Sequence, residues 1–596
     1  MSLNYQLYPN SSPEDLRDLQ SAVFRNRQFD SRSQKLNSCF ALHRMEDAVK
    51  VFLNFMKYFT VRTDGASGEF SKGYTSDKII DIVVDCDVDG YCSSAILYRF
   101  LREVFHFPKD QIHVHLHSAK QHGLSADIPY MVFKGQLVLI PDAGSNDVEQ
   151  CTKLFQMGKT IIVLDHHLIE RLNSDAIVVN NQLGEYPNKA LCGTGVTWQF
   201  IAAVILMLDK QGIHLANYNK LLPDYASYVA IATFADIVNV TTPENQYFIQ
   251  NAITRPNPFF DELKRRTSIR PNATGYELQF GTISAMNALI RIGTQEEREL
   301  LFQALCQEYD VHEKYNPRKG ITEDEDIYEA AAKACVNAKA RQKRIQSHDS
   351  DIMIRQIEEK HLDQGKLIVV DGSSTNHDLT GLLANAISSH YQKPCLVLNK
   401  CNNRLWQGSG RNVPDALGED LRSLLLQTGK FQMVEGHGNA FGCKIATDDI
   451  PEMLARFNTI APDVAPERYV DFVDDANAGL NIDTAIAVIK HILPYCGQGF
   501  KTPVFVYRNL CVMPGQIQVM GKGSAWKIVL DPEICVVKFN VSDGDAIISA
   551  SESKSNHPLC LNVMGTYSPN YWNGQISFQF IVDEYEVCSN EMRDEF

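Results

Sequence analysis

The chain has 596 residues, with 57 Lys or Arg against 72 Asp or Glu, a net charge of −15, 44% hydrophobic residues and 15 cysteines. That balance excludes a protein held to nucleic acid by bulk charge alone, though a local basic groove could still bind phosphates; no stretch approaches the ~18 consecutive apolar residues of a membrane span, and the N-terminus lacks the basic-then-apolar order of a secretory signal. The cysteines are scattered and never spaced C-x-x-C, which argues against a disulfide framework, a zinc ribbon or a thioredoxin-type centre and fits a reducing cytoplasm.

At ~150 residues per domain the length suggests about four domains. Residues 1–75 read as mostly helical and carry no motif. Over 76–243, β-branched runs (DKIIDIVVD, QLVLIPD, TIIVLDHH, DAIVVNN) alternate with amphipathic stretches, which predicts a parallel sheet covered by helices. Over 244–364 strand signals nearly vanish and charged helical sequence dominates, so this part is expected to be a helical connector. Residues 365–450 return to a smaller α/β pattern, with KLIVVDG, LTGLLANAISSHY and KPCLVLN. From 463 to 596 short strands follow one another, as in a β-barrel such as an OB-fold.

The strongest chemical signal is VVDCDVDGYCSSAIL, where a strand runs into Asp85, Asp87 and Asp89 and then a helix. Positions i and i+2 of an extended chain share a face, so Asp85 and Asp87 can point at one spot, at the strand edge where open α/β sheets bind ligands. QLVLIPDAG ends in Asp142, TIIVLDHH in Asp165, His166 and His167, and YVAIATFADIVNV carries Asp236 at a helix break. Carboxylates with one or two imidazoles and no thiolate make a hard site suited to manganese or magnesium. Two such ions ~3.5–4 Å apart can generate hydroxide and neutralise charge on phosphorus in phosphodiester hydrolysis; Asp87 and Asp142 are candidates for shared ligands. A single Asp after a strand is more often an Asx-turn or helix cap, as Asp89 can be, and Asp165 can equally orient a histidine. Four such motifs in one domain reverse those odds.

The order DCDVDG, PDAG, LDHH and ADIV resembles the DHH phosphoesterase superfamily, and within it the RecJ-like single-strand DNA-specific exonucleases. ISAMNALIRIG resembles that family's N-A-A-G-R motif; GSGRNV and EGHGNAFG resemble the phosphate motifs of its DHHA1 domain; LPYCGQGFKTPVF and WNGQISFQFIVDEYEV resemble its OB-fold. Val83 stands where the family carries a histidine, QHGL (121–124) where it has G-Y-G-L, and Glu435–Gly436 where it has a doubled glycine.

The resemblance implies two Mn2+ or Mg2+ ions held by Asp85, Asp87, Asp142, His166 and Asp236, with His167, Asp165 and Asp89 as the catalytic group. It implies that Asn287, Arg291, Ser409, Arg411 and His437 contact DNA phosphates, with Lys120 a further candidate at the 5′ end. The expected activity is 5′→3′ hydrolysis of single-stranded DNA to 5′-mononucleotides, with a single-strand-binding protein or a helicase as candidate partners. A DHH oligoribonuclease or cyclic-dinucleotide phosphodiesterase is one alternative, which generally lacks the appended barrel; a non-catalytic replication scaffold is another.

Weaker signals remain. LKRRTSIR (263–270) and KARQKR (339–344) can line a channel or be solvated helix faces. Tyr567, Tyr571 and Trp572 can stack on bases, although packing is the commoner role for each. His113, His115 and His117 share a strand face and are expected to be structural.

Overall fold

The computed structural model describes residues 3–588 except 12–17, 57–59, 65–66, 72–77, 119–120, 125–127, 216–217, 271–272, 274, 309–310, 317–319, 414–416, 418–419, 463–467, 542–543, 552–556 and 573–574. They form two compact units, one of residues 1–336 with 469–596 and one of residues 337–468.

The first unit is built on five strands: β1 (Ile80–Val84), β2 (Ile112–Leu116), β3 (Leu137–Pro141), β4 (Thr160–Asp165) and β5 (Ile177–Asn180). They run in the order β2-β1-β3-β4-β5, every pairing parallel. IDIVV and LVLIP are buried along their whole length, which is why they read as apolar runs, interrupted in IDIVV only by Asp81: helices cover both faces. Val83, Val138, Ile140 and Val163 share one core with Leu154 and Cys151. The helices that matter for the site are α1 (Val88–Glu103), α2 (Gly193–Lys210) and α3 (Tyr218–Ala235). A parallel sheet sends all its C-terminal ends to one edge, and Asp85, Asp142 and Asp165 lie there.

The connector contains α4 (Gly275–Leu278), a π turn over Gln279–Ile283, and α5 (Ser284–Ile292). It departs from the helical expectation in one place: Val311–Asn316 and Ile321–Asp326 pair as an antiparallel hairpin. Its acidic residues have low strand propensity, and ladder hydrogen bonds that the sequence does not advertise hold it. The long helix α6 (Ile327–Lys360) then leads into the second unit. Residues 1–75 likewise hold more than helices: Gln6–Leu7 pairs in parallel with Tyr469–Val470, and Thr60–Asp64 pairs with Ser67–Ser71.

The second unit has a five-stranded sheet, β6 (Ile368–Asp371), β7 (Cys395–Asn402), β8 (Leu405–Arg411), β9 (Phe431–His437) and β10 (Ala440–Ala446), in the order β6-β7-β8-β10-β9. Helix α7 (Thr380–Tyr391) packs on β7 and β8.

The C-terminal segment forms a seven-stranded mixed sheet that includes Phe505–Val512, Leu559–Trp572 and Gln575–Val587. Tyr567 is buried there at 1% exposure with its hydroxyl 2.7 Å from that of Tyr507, a packing role. Tyr571 is half-buried, and the Trp572 side chain lies outside the described residues. Cys511 and Cys560 are bonded across neighbouring strands. Scattered spacing gave no hint of this bridge, because strand register alone brings the two together. His115 and His113 turn toward buried Asp81, at 2.7 and 3.6 Å, as a structural reading expects. Among the described residues no helix is long and apolar enough to cross a membrane.

Candidate metal centre

β1 runs directly into Asp85, which is 1% exposed. Its Oδ1 accepts the Gly123 N–H at 2.9 Å and its Oδ2 lies 2.7 Å from His122 Nδ1. Burial works against the carboxylate's charge, but His122 outweighs it and lowers the Asp85 pKa. Asp87 is the N-cap of α1, accepting the Gly90 N–H at 3.0 Å. A Cβ on Gly90 would fall 2.5 Å from that of Asp85, so only glycine lets the helix start so close to the strand. Asp89, in the first turn of α1, faces α2 and accepts the backbone N–H groups of Gly193 and Thr194, both at 2.7 Å. It is an anion at the positive end of a neighbouring helix.

Asp142 follows β3 with φ of 68°, a left-handed conformation rare outside glycine. Its N–H donates to Leu164 O at 2.8 Å. The side chain lies against the start of α2, where a Cβ on Gly193 would fall 2.1 Å from Asp142 Oδ1. Asp165 ends β4 and spends both oxygens on the turn: Oδ1 accepts from the His166 and His167 N–H groups (2.7 and 3.1 Å) and lies 2.8 Å from His167 Nδ1, while Oδ2 accepts the Ser145 N–H at 3.0 Å. Burial opposes both charges of the pair, yet mutual attraction holds Asp165 below the usual carboxylate range and lifts His167 to about 10. The His167 side chain is 51% exposed, so this cation faces solvent. Asp236 follows α3 and precedes Ile237, another left-handed residue with φ of 55°.

These groups converge. His166 Nε2 lies 3.3 Å from Asp142 Oδ1, 3.6 Å from Asp236 Oδ2 and 3.8 Å from Asp89 Oδ2. Asp85, Asp87 and Asp142 offer oxygens within 4.8 Å of one another, as do Asp89, His166 and Asp236 with one ligand atom each, and Asp142 also joins Asp165, His166 and His167 in a further group. Asp142 Oδ1 and Asp236 Oδ2 are buried without a hydrogen-bond partner among the described residues. Burial, followed by repulsion from neighbouring carboxylates, pushes Asp142 and Asp236 well above the usual range and raises Asp87. An unpaired buried anion is costly, and divalent cations on hard oxygen ligands relieve that cost. The donor set fits Mn2+ or Mg2+.

The other expected contacts sit elsewhere. Asn287 and Arg291 are on α5, which packs on α1, and the buried Asn287 Oδ1 has no partner among the described residues. In the second unit Ser409 and Arg411 alternate along β8 over the first turn of α7, where a Cβ on Gly381 would fall 2.6 Å from Arg411 Nη2 and 3.6 Å from Ser409 Oγ. An arginine, whose Nη1 donates to Gly410 O at 2.7 Å, a hydroxyl and a helix N-terminus thus meet at one place. His437 ends β9; its side chain, like Lys120, lies outside the described residues. The basic run over 263–270 is largely self-paired: Arg265 and Arg266 bond Glu262, and Arg270 bonds Glu277. Arg344 of the 339–344 run is exposed on α6.

Comparison with known proteins places this geometry in a lineage. The DHH family N-terminal domain matches residues 79–233 and the RecJ OB domain matches residues 480–584. A Bacillus subtilis protein whose name describes an SPbeta prophage-derived single-strand DNA-specific exonuclease, YorK, is 30% identical over 530 residues, covering 86% of this chain and 88% of its own. The chain belongs to the RecJ-like family of DHH phosphoesterases. Bacillus subtilis RecJ, a single-stranded-DNA-specific exonuclease, is 26% identical over 567 residues, 89% of this chain and 64% of that one. The fold is that of RecJ from Thermus thermophilus in complex with Mn2+, with a TM-score of 0.68 at 16% identity, over 98% of this chain and 78% of that one.

In this RecJ-like chain Val83, at the family's histidine position, is 1% exposed in the apolar core of the sheet. The imidazole beside the first carboxylate comes instead from His122, 37 residues away, which sequence reasoning met only as part of QHGL. Two further residues brace the turn after β4: Asn180 donates to Ser145 Oγ (2.9 Å) and His167 O (3.0 Å), and Gln182 to His166 O (3.0 Å). The amide run Asn180–Gln182 at the end of a strand was the available signal for them.

Proposed function

We propose that this chain is a metal-dependent exonuclease that degrades single-stranded DNA from its 5′ end and releases 5′-mononucleotides, in repair, recombination or replication. The observation that carries the reading is the meeting of buried, partnerless Asp142 and Asp236 oxygens with His166 in a chain of the RecJ-like family. Asp85, Asp87, Asp142, His166 and Asp236 would hold two Mn2+ or Mg2+ ions, which when bound supply Lewis acidity and hydroxide near neutral pH.

The chain's own groups do the rest. Asp165 fixes the His167 ring so that the opposite nitrogen, charged and open to solvent, can hydrogen-bond an oxygen of the scissile phosphate. Asp89 pins the start of α2 against α1 and so keeps Gly193 beside Asp142. Water adds to the phosphorus that follows the terminal nucleotide and the bond to that nucleotide's 3′ oxygen breaks, so the nucleotide leaves with a 3′-hydroxyl and the 5′-phosphate it already carried, while the shortened strand keeps the attacked phosphate as its new 5′ end. Arg411 offers a planar fork to a phosphate, with Ser409 and the α7 N-terminus beside it, and Asn287 and Arg291 take backbone phosphates. A single-strand-binding protein or a helicase would suit as supplier of such a strand, and a cytoplasmic site suits the thirteen unbridged cysteines.

The test is Asp142→Ala: cleavage of long single-stranded DNA should vanish while strand binding persists. Retained cleavage would overturn the reading, and a wild-type preference for short oligoribonucleotides would replace it with the oligoribonuclease alternative.

A further inference from the structure

The helical run that carries Asn287 and Arg291 begins with two exposed aromatic residues. Tyr276 is 43% and Phe280 61% exposed, their ring centroids 4.7 Å apart and their planes at 53°. They stand four residues apart on either side of the point where α4 gives way to the π turn, a helical irregularity found often at functional sites. The run also feeds the core: Leu278, Ile283, Met286, Leu289 and Ile290 are all buried. Asn287 and Arg291, both half-buried, follow the rings further along the same run.

The run starts against α3, the helix that leads to Asp236, and Tyr276 lies near Asp583 of the C-terminal sheet. A Cβ on Gly275 would fall 1.9 Å from the Phe234 ring, so α4 begins in direct contact with α3 two residues ahead of Asp236. Single exposed apolar residues are ordinary, but two contacting rings forgo burial that a phenylalanine normally gains. We propose that Tyr276 and Phe280 form a stacking platform for the bases of the bound strand, with Asn287 and Arg291 further along the same run taking its phosphates. The proposal rests on the exonuclease reading, and its occupant is a nucleobase because every base offers a π face whatever its sequence, as a non-specific nuclease needs.

The test measures binding of fluorescein-labelled oligothymidine in chelator by three full-length proteins: wild type, Tyr276→Ala/Phe280→Ala and Tyr276→Leu/Phe280→Leu. Both variants should bind about tenfold to hundredfold more weakly, with unchanged Tm and Mn2+ affinity, and wild type should bind a strand of abasic sites as weakly as the variants bind the normal one. Equal affinity for all three proteins would overturn the platform while leaving the exonuclease intact. Loss in the alanine pair alone would overturn base stacking in favour of a plain apolar contact. A wild type that binds the strand through these rings but never cuts it with any metal would uphold the platform and overturn the exonuclease reading.

Discussion

Asp142 carries a heavy electrostatic load. It is buried, left-handed in φ, pressed against the start of α2, and faces Asp85, Asp87, Asp89 and Asp236. Without a cation it is a liability, so Asp142→Asn should raise the Tm of the metal-free protein while removing the stabilisation by Mn2+. Calorimetric scans with and without the metal would check both, and activity should fall by more than the roughly 10- to 100-fold typical of an outer ligand partner. His122 is such a partner for Asp85, and His122→Ala should weaken Mn2+ binding by about 10- to 100-fold in titration calorimetry. The raised carboxyls give a pH signature. Asp142 and Asp236 hold protons at higher pH than ordinary carboxylates, so the incoming metal must expel them, and its affinity should climb as pH rises. Proton release on Mn2+ binding, read from heats in buffers of different ionisation enthalpy, measures this directly.

Among the elements, the N-terminus of α2 does the most to shape the site. Gly193→Ala would place a methyl 2.1 Å from Asp142 Oδ1, and it should destabilise the fold by about 1–3 kcal/mol and reduce cleavage, measured as denaturant midpoint and initial rate. The elements around this centre were legible because burial on both faces writes β1, β3 and β4 as mainly apolar runs that stop at their carboxylates, Asp81 being the one charge inside β1. Other elements were not. The acidic hairpin over 311–326 has no side-chain pattern of its own, the parallel pairing of Gln6–Leu7 with Tyr469–Val470 joins distant parts of the chain, and the Cys511–Cys560 bridge depends on register. At the site, motif spacing delivered the ligand candidates, but the use of Asp89 on a second helix and the reach of His122 back to Asp85 are tertiary facts.

At the scale of the whole molecule, the N-terminal segment belongs physically to the C-terminal sheet. Besides the Gln6–Leu7 pairing, Arg27 makes a two-pronged bond to Asp471, at 2.6 and 3.0 Å, with the Asp471 side chain fully buried. Removing one partner strands the other, so Arg27→Ala should cost about 3–5 kcal/mol, seen in urea unfolding followed through the barrel. Most of the remaining architecture serves one purpose, bringing four carboxylates and His166 from four segments to one edge of a parallel sheet. The most direct trial of that purpose is digestion of a long single strand labelled separately at its 5′ and 3′ ends, with Mn2+, with Mg2+ and with chelator. Prompt release of mononucleotides from the 5′ label, only when metal is present, is the expected result. No release under any metal condition, or release from the 3′ end first, would contradict it.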